Sequence, residues 1–145
     1  MCYSGVMYEP EVLSEDYDDG TMPNNVDVLR RAVVGSRIVS VEKGVGVPGP
    51  YSWSGQDTAT VITLDNGKTV RTIDTYDCCA FTELEAFLLH PELVDHMILG
   101  VGTTDGYSTW HIFADAGDIL ELTVGWSCGN PFYYGYGFSI QIEEI

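Results

Sequence analysis

The sequence predicts an α+β domain: a predominantly antiparallel β-sheet of about six to seven strands, one short α-helix packed on it, and an acidic irregular N-terminal arm. Three observations carry this. β-branched runs bounded by glycine recur along the chain, one pair of them around Asn66-Gly67. Thr82 and Glu85 have capping-box spacing ahead of Leu84, Phe87 and Leu88. Residues 1–27 hold seven acids and no base, a composition that cannot bury a core. The expected organisation is an arm over residues 1–32 and a single domain over 33–145.

Within the arm, Gly20, Pro23, Asn24 and Asn25 break any helical period. The first strand is expected around residues 36–43, followed by an exposed loop, "GVGVPGPYSWSG", carrying Tyr51 and Trp53. "TATVITLDNGKTVRTID" then forms a hairpin with a two-residue Asn66-Gly67 turn, which sets Asp65 opposite Lys68. The helix is expected from Thr82 to about His90, where Pro91 disfavours helical geometry. Strands follow in "HMILGVGTT", "STWHIFADAGDILELTVGW" and "FSIQIEEI". A two-residue turn at Ala116-Gly117 would pair His111 with Leu122 and place His111, Phe113, Leu120, Leu122 and Val124 on one face.

Composition narrows the function. With 45% hydrophobic residues over 145 positions, the chain can bury a core without staples. No stretch approaches the roughly 18 apolar residues of a membrane span. Four cysteines in no familiar framework are expected to be thiols. A formal net charge of −16 repels nucleic-acid phosphate and anionic lipid, so direct binding to either is not expected. After Arg71 there is no Lys or Arg, while twelve Asp and Glu remain. That distribution suits a protein partner with a basic surface, including one whose nucleic-acid site an acidic protein could occupy.

The motifs exclude more chemistry than they support. "DYDDG" lacks the glycine position and closing Glu of a calcium loop, and "GVGTTDG" lacks dinucleotide spacing. Cys78 and Cys79 have no close pair of further metal ligands, and the acids around them oppose a thiolate. No catalytic, metal-binding or cofactor-binding residue is therefore assigned, and no enzyme is expected. "GWSCGNPFYYGYGF" sets six aromatics among glycines, a composition suited to recognition or to closing a sheet edge. The candidate interaction residues are Tyr51, Trp53, Tyr133, Tyr134 and Tyr136, with Asp16, Asp18 and Asp19 in the arm.

Asp77-Cys78-Cys79, "GVGTTDGY" and "GWSCGNPFYYGYGF" resemble a family of small proteins of unknown function common in bacteriophages of actinobacteria, over roughly residues 33–142. The resemblance implies an accessory protein acting in the host cytoplasm and transfers no catalytic residue. The resulting expectation is a non-enzymatic phage accessory protein that binds a host or phage protein, as a DNA mimic or inhibitor. The alternative is a small-molecule-binding module with its pocket between sheet and aromatic loops, taking a neutral or cationic ligand. Homo-oligomerisation is compatible with either.

Overall fold

The computed structural model describes residues 8–13, 18, 20–52, 54–77, 79–129 and 136–144. They form one helix and two antiparallel sheets, an α+β fold that is mostly β, as the sequence predicts. In chain order these are α1 (Thr21–Val33), β1 (Ile38–Pro48), β2 (Gln56–Leu64), β3 (Lys68–Ile73), β4 (Thr75–Tyr76), β5 (Phe81–Leu89), β6 (Gly100–Thr104), β7 (Thr109–Ala114), β8 (Gly117–Ser127) and β9 (Ser139–Glu144). The four-stranded sheet has the order β1-β2-β3-β9 and the five-stranded sheet β4-β5-β8-β7-β6. No described helix is long and apolar enough to cross a membrane.

The helix lies elsewhere than the capping box indicates. Thr82–Leu89 is the strand β5, paired with β8 along its length, and that long-range ladder overrides local helix propensity. The Thr82 hydroxyl is fully buried and accepts the Gly137 N–H at 2.6 Å instead of capping a helix. The true helix falls in the segment expected to be irregular. Met22, Val26, Leu29 and Val33 make a helical stripe that is buried in the main core. Pro23 is tolerated because it sits in the first turn. Asn25 locks the helix to the C-terminal strand, its amide donating to the Phe138 carbonyl at 2.9 Å and accepting the Phe138 N–H at 3.0 Å.

Two turns also differ from expectation. Thr63 pairs with Thr69, so Asp65-Asn66-Gly67 is a three-residue loop in which Gly67 alone takes a positive φ of 84°. Asp65 turns to Arg37, accepting its backbone N–H at 3.0 Å and facing its guanidinium at 3.5 Å. In the β7–β8 hairpin, Ala114 pairs with Gly117 and Phe113 with Asp118, after which the register slips so that Ile112 meets Leu120 and His111 meets Glu121, not Leu122. Ile119 is the extra residue of a β-bulge, and Ile119 and Leu120 are both fully buried. Asp118 and Glu121, three positions apart, therefore leave the strand on the same, outer face as His111.

Asp74 joins the two sheets. Its backbone N–H donates to Thr58 of β2 at 2.9 Å, while its buried carboxylate accepts the Leu84 N–H of β5 at 3.1 Å.

Candidate functional site

Several expected interaction residues have structural roles. Tyr136 and Asp18 are both buried, bonded to each other through the Tyr136 hydroxyl at 2.8 Å, and Tyr136 stacks on Trp126 at 5.9 Å. Asp18 also accepts the N–H groups of Gly20 and Met22 at the start of α1, where an anion is favoured. This corrects the expectation that either side chain is presented to a partner. Tyr51 is 37% exposed on the β1–β2 loop, its N–H held by buried Asp57 at 3.0 Å. Trp53, Tyr133, Tyr134, Asp16 and Asp19 lie outside the described residues.

The cysteine segment resolves differently from its expectation of thiols. Cys79 is disulfide-bonded, whereas Cys128 is buried with its thiol 3.6 Å from the Gly129 carbonyl. The length of β5 puts His90 about 30 Å from Cys79, so the two share no site. His90 meets Glu121 instead, donating from Nε2 to Oε2 at 2.7 Å. That bond raises the His90 pKa above the ordinary imidazole range, with Glu92 and Asp118 adding to the effect.

A polar cluster occupies the outer face of the five-stranded sheet. His111 on β7 is buried, its Nδ1 donating to Asp118 Oδ2 at 2.8 Å and its Nε2 2.8 Å from the Thr104 hydroxyl of β6. Tyr8 covers this pair, its ring stacked on the imidazole at 4.2 Å and its hydroxyl donating to Asp118 Oδ1 at 2.6 Å. Burial, that hydrogen bond and the charges of Asp118 and Glu121 push the Tyr8 phenol well above its ordinary pKa, so it stays a donor. Opposite His111 stands Gly102, where a Cβ would lie 2.5 Å from Tyr8. Glycine is what lets Tyr8 pass this close to β6.

Glu11 fixes the other end of this N-terminal segment. Its carboxylate accepts the N–H groups of Gly106 and Tyr107 at 2.7 and 2.8 Å, in a β6–β7 loop where Asp105, Gly106 and Tyr107 all take left-handed φ angles of 58°, 65° and 63°. Successive amides in such a turn make a small anion cradle.

Between this segment, α1 and the edge strand β6 runs a groove of about 720 Å³. Tyr8, Tyr107 and Phe113 provide aromatic wall; Glu9, Glu11 and Asp27 provide carboxylates. Its one cation, Arg30, donates to Asp27 at 2.8 Å and to the Val101 carbonyl at 3.0 Å. Tyr8 belongs to both groove and cluster. Sequence reasoning missed the cluster because strict alternation along β8 separates Asp118 from Glu121. The trace it leaves in the sequence is "DILE", whose adjacent Ile119 and Leu120 are both buried because the bulge falls between the two acids.

The fold and site thus define a mostly antiparallel α+β domain with an acidic, histidine-bearing sheet face beside an aromatic groove. The chain belongs to the family described as Domain of unknown function (DUF7448), whose model matches residues 31–140. No curated protein and no solved structure matches the chain.

Proposed function

We propose that the protein is a non-enzymatic binding module that holds a neutral or cationic small molecule in the groove between the Tyr8–Glu11 segment, α1 and β6. The observation that carries this reading is the groove itself, about 720 Å³ with aromatic and carboxylate walls. That volume falls in the range of small-ligand sites. Carboxylates and tyrosine faces favour an amine or other cation, and Arg30 is already engaged by Asp27 and Val101, which disfavours an anion.

A second reading, a protein partner with a basic surface, draws on the absence of Lys and Arg from β4 through β8. The resemblance supports a setting in bacteriophages of actinobacteria and action in the host cytoplasm.

Native mass spectrometry of the full chain recovered from infected cells separates these readings. A discrete small mass on the wild type, lost when the exposed groove residues are plugged by Leu99→Trp or Asn24→Trp, is the expected result. A protein-sized addition insensitive to the plugs favours the second reading, and wild type carrying neither overturns both.

A further inference from the structure

His111, Asp118 and Glu121 each present a ligand atom within 4.8 Å of the other two. We propose that these three side chains form a binding site for a divalent transition metal, zinc by preference, on the outer face of the five-stranded sheet. This is independent of what fills the groove.

The chemistry begins with the Nδ1–Asp118 bond. A carboxylate can only accept, so the 2.8 Å contact puts a proton on Nδ1. A metal ion takes the place of that proton, bound by Nδ1 and by one oxygen from each carboxylate. Metal–ligand lengths of about 2.0–2.2 Å separate neighbouring ligand atoms by roughly 3–3.5 Å, and side-chain rotation closes the set from its present spacing. One imidazole and two carboxylates suit zinc and other first-row ions, whereas magnesium has no need of the nitrogen.

The surroundings are those of a supported site. With Nδ1 on metal, Nε2 carries the proton and donates to the Thr104 hydroxyl already 2.8 Å away, the outer bond that commonly orients a ligating imidazole. Thr104 serves both tautomers because a hydroxyl donates or accepts. Tyr8 steadies the other Asp118 oxygen at 2.6 Å and stacks on the ring, while His90 holds Glu121 Oε2 at 2.7 Å. The bulge at Ile119 is what brings Asp118 and Glu121 to one face. Beyond Arg71 no Lys or Arg competes for these carboxylates, and a net charge of −16 concentrates cations nearby.

The test is isothermal titration of the full chain with ZnCl2, with MgCl2 as control, alongside long-range ¹H–¹⁵N spectra of the imidazoles. The expected result is saturable zinc uptake with no magnesium counterpart, and His111 changing from the Nδ1–H to the Nε2–H tautomer on loading. Affinity falls at least 100-fold in His111→Ala, at least tenfold in the near-isosteric Glu121→Gln, and about tenfold in Thr104→Val. Circular dichroism checks that each variant is folded, and Glu121→Gln keeps the test sound if His111→Ala is not. Absence of zinc uptake, uptake unchanged in Glu121→Gln, or an unmoved His111 tautomer at saturation each overturns the proposal; the second would point to zinc held elsewhere, as at a cysteine.

Discussion

On the helix and the four-stranded sheet, carboxylates meet arginine: Asp27 holds Arg30 and Arg31, Asp65 holds Arg37, and Glu143 holds Arg71 across β3 and β9. On the five-stranded sheet and its loops, the described acids with an ionic partner meet histidine: Asp118 with His111, Glu121 with His90, and Asp115 with His96. All six Lys and Arg fall between Arg30 and Arg71, so the second region has no permanent positive charge. A guanidinium neutralises its carboxylate at every ordinary pH, while an imidazole does so only when protonated and can give its place to a metal. The carboxylates of the five-stranded sheet are therefore without a permanent counter-charge of their own, and an added cation can answer them.

The largest effect is expected at the joint between the two sheets. Burial raises the Asp74 pKa from 3.8 to about 6; Glu83 of the five-stranded sheet adds to the rise, while the Leu84 N–H and Lys43 of the four-stranded sheet oppose it. Because the folded state holds this proton more tightly than the unfolded chain, the stabilisation is present below the unfolded pKa and is lost as pH rises through about 6. Asp74→Asn keeps an acceptor for the Leu84 N–H and removes the titration. Urea unfolding should show the variant about 2 kcal/mol more stable than wild type at pH 8 and nearly equal to it at pH 4. Equal destabilisation at both pH values would mean that the carboxyl serves only as a hydrogen-bond partner.

A smaller effect tests whether the N-terminal segment is part of the histidine-bearing face. Gly102→Ala would set a Cβ 2.5 Å from Tyr8, lifting its ring from His111 and its hydroxyl from Asp118. The expected cost is about 1–2 kcal/mol in thermal unfolding. In a Tyr8→Gly background, which removes the Cβ that the new methyl would meet as well as the ring, the same substitution should cost little; an unchanged cost would place the strain in β6 itself.

How far the sequence discloses this follows from which interactions are local. β-branched runs and turn glycines are local signals, and they predict most strands and the antiparallel, mostly β architecture correctly. The charge division at Arg71 is equally plain. Thr82-x-x-Glu85 misleads because its capping signal is worth only about 1 kcal/mol, against a ladder from Phe81 to Leu89 with β8 that no local window contains. The helix at Thr21–Val33 is obscured by Pro23, Asn24 and Asn25, whose roles depend on position in the first turn and on Phe138, more than a hundred residues away. The cluster of His111, Asp118 and Glu121 depends on one bulged residue, Ile119. A single slip of register reassigns every outward side chain beyond it.

The smallest expected effect lies on the arginine side of the comparison. Arg71 grips Glu143 with two parallel bonds of 2.8 and 2.9 Å, a geometry favourable for an ion pair. Yet Glu143 is 52% exposed and Arg71 28%, so solvent screens the attraction and side-chain ordering offsets much of it. Arg71→Gln should therefore cost about 0.5 kcal/mol in urea unfolding at low salt, and the difference should nearly vanish in about 1 M NaCl, where screening acts over roughly 3 Å. The Asp74→Asn difference, arising from desolvation of a buried group, should survive the same salt. If Arg71→Gln cost more than about 2 kcal/mol in high salt, arginine pairing would be holding the four-stranded sheet together, and the contrast would concern stability instead of the availability of charge.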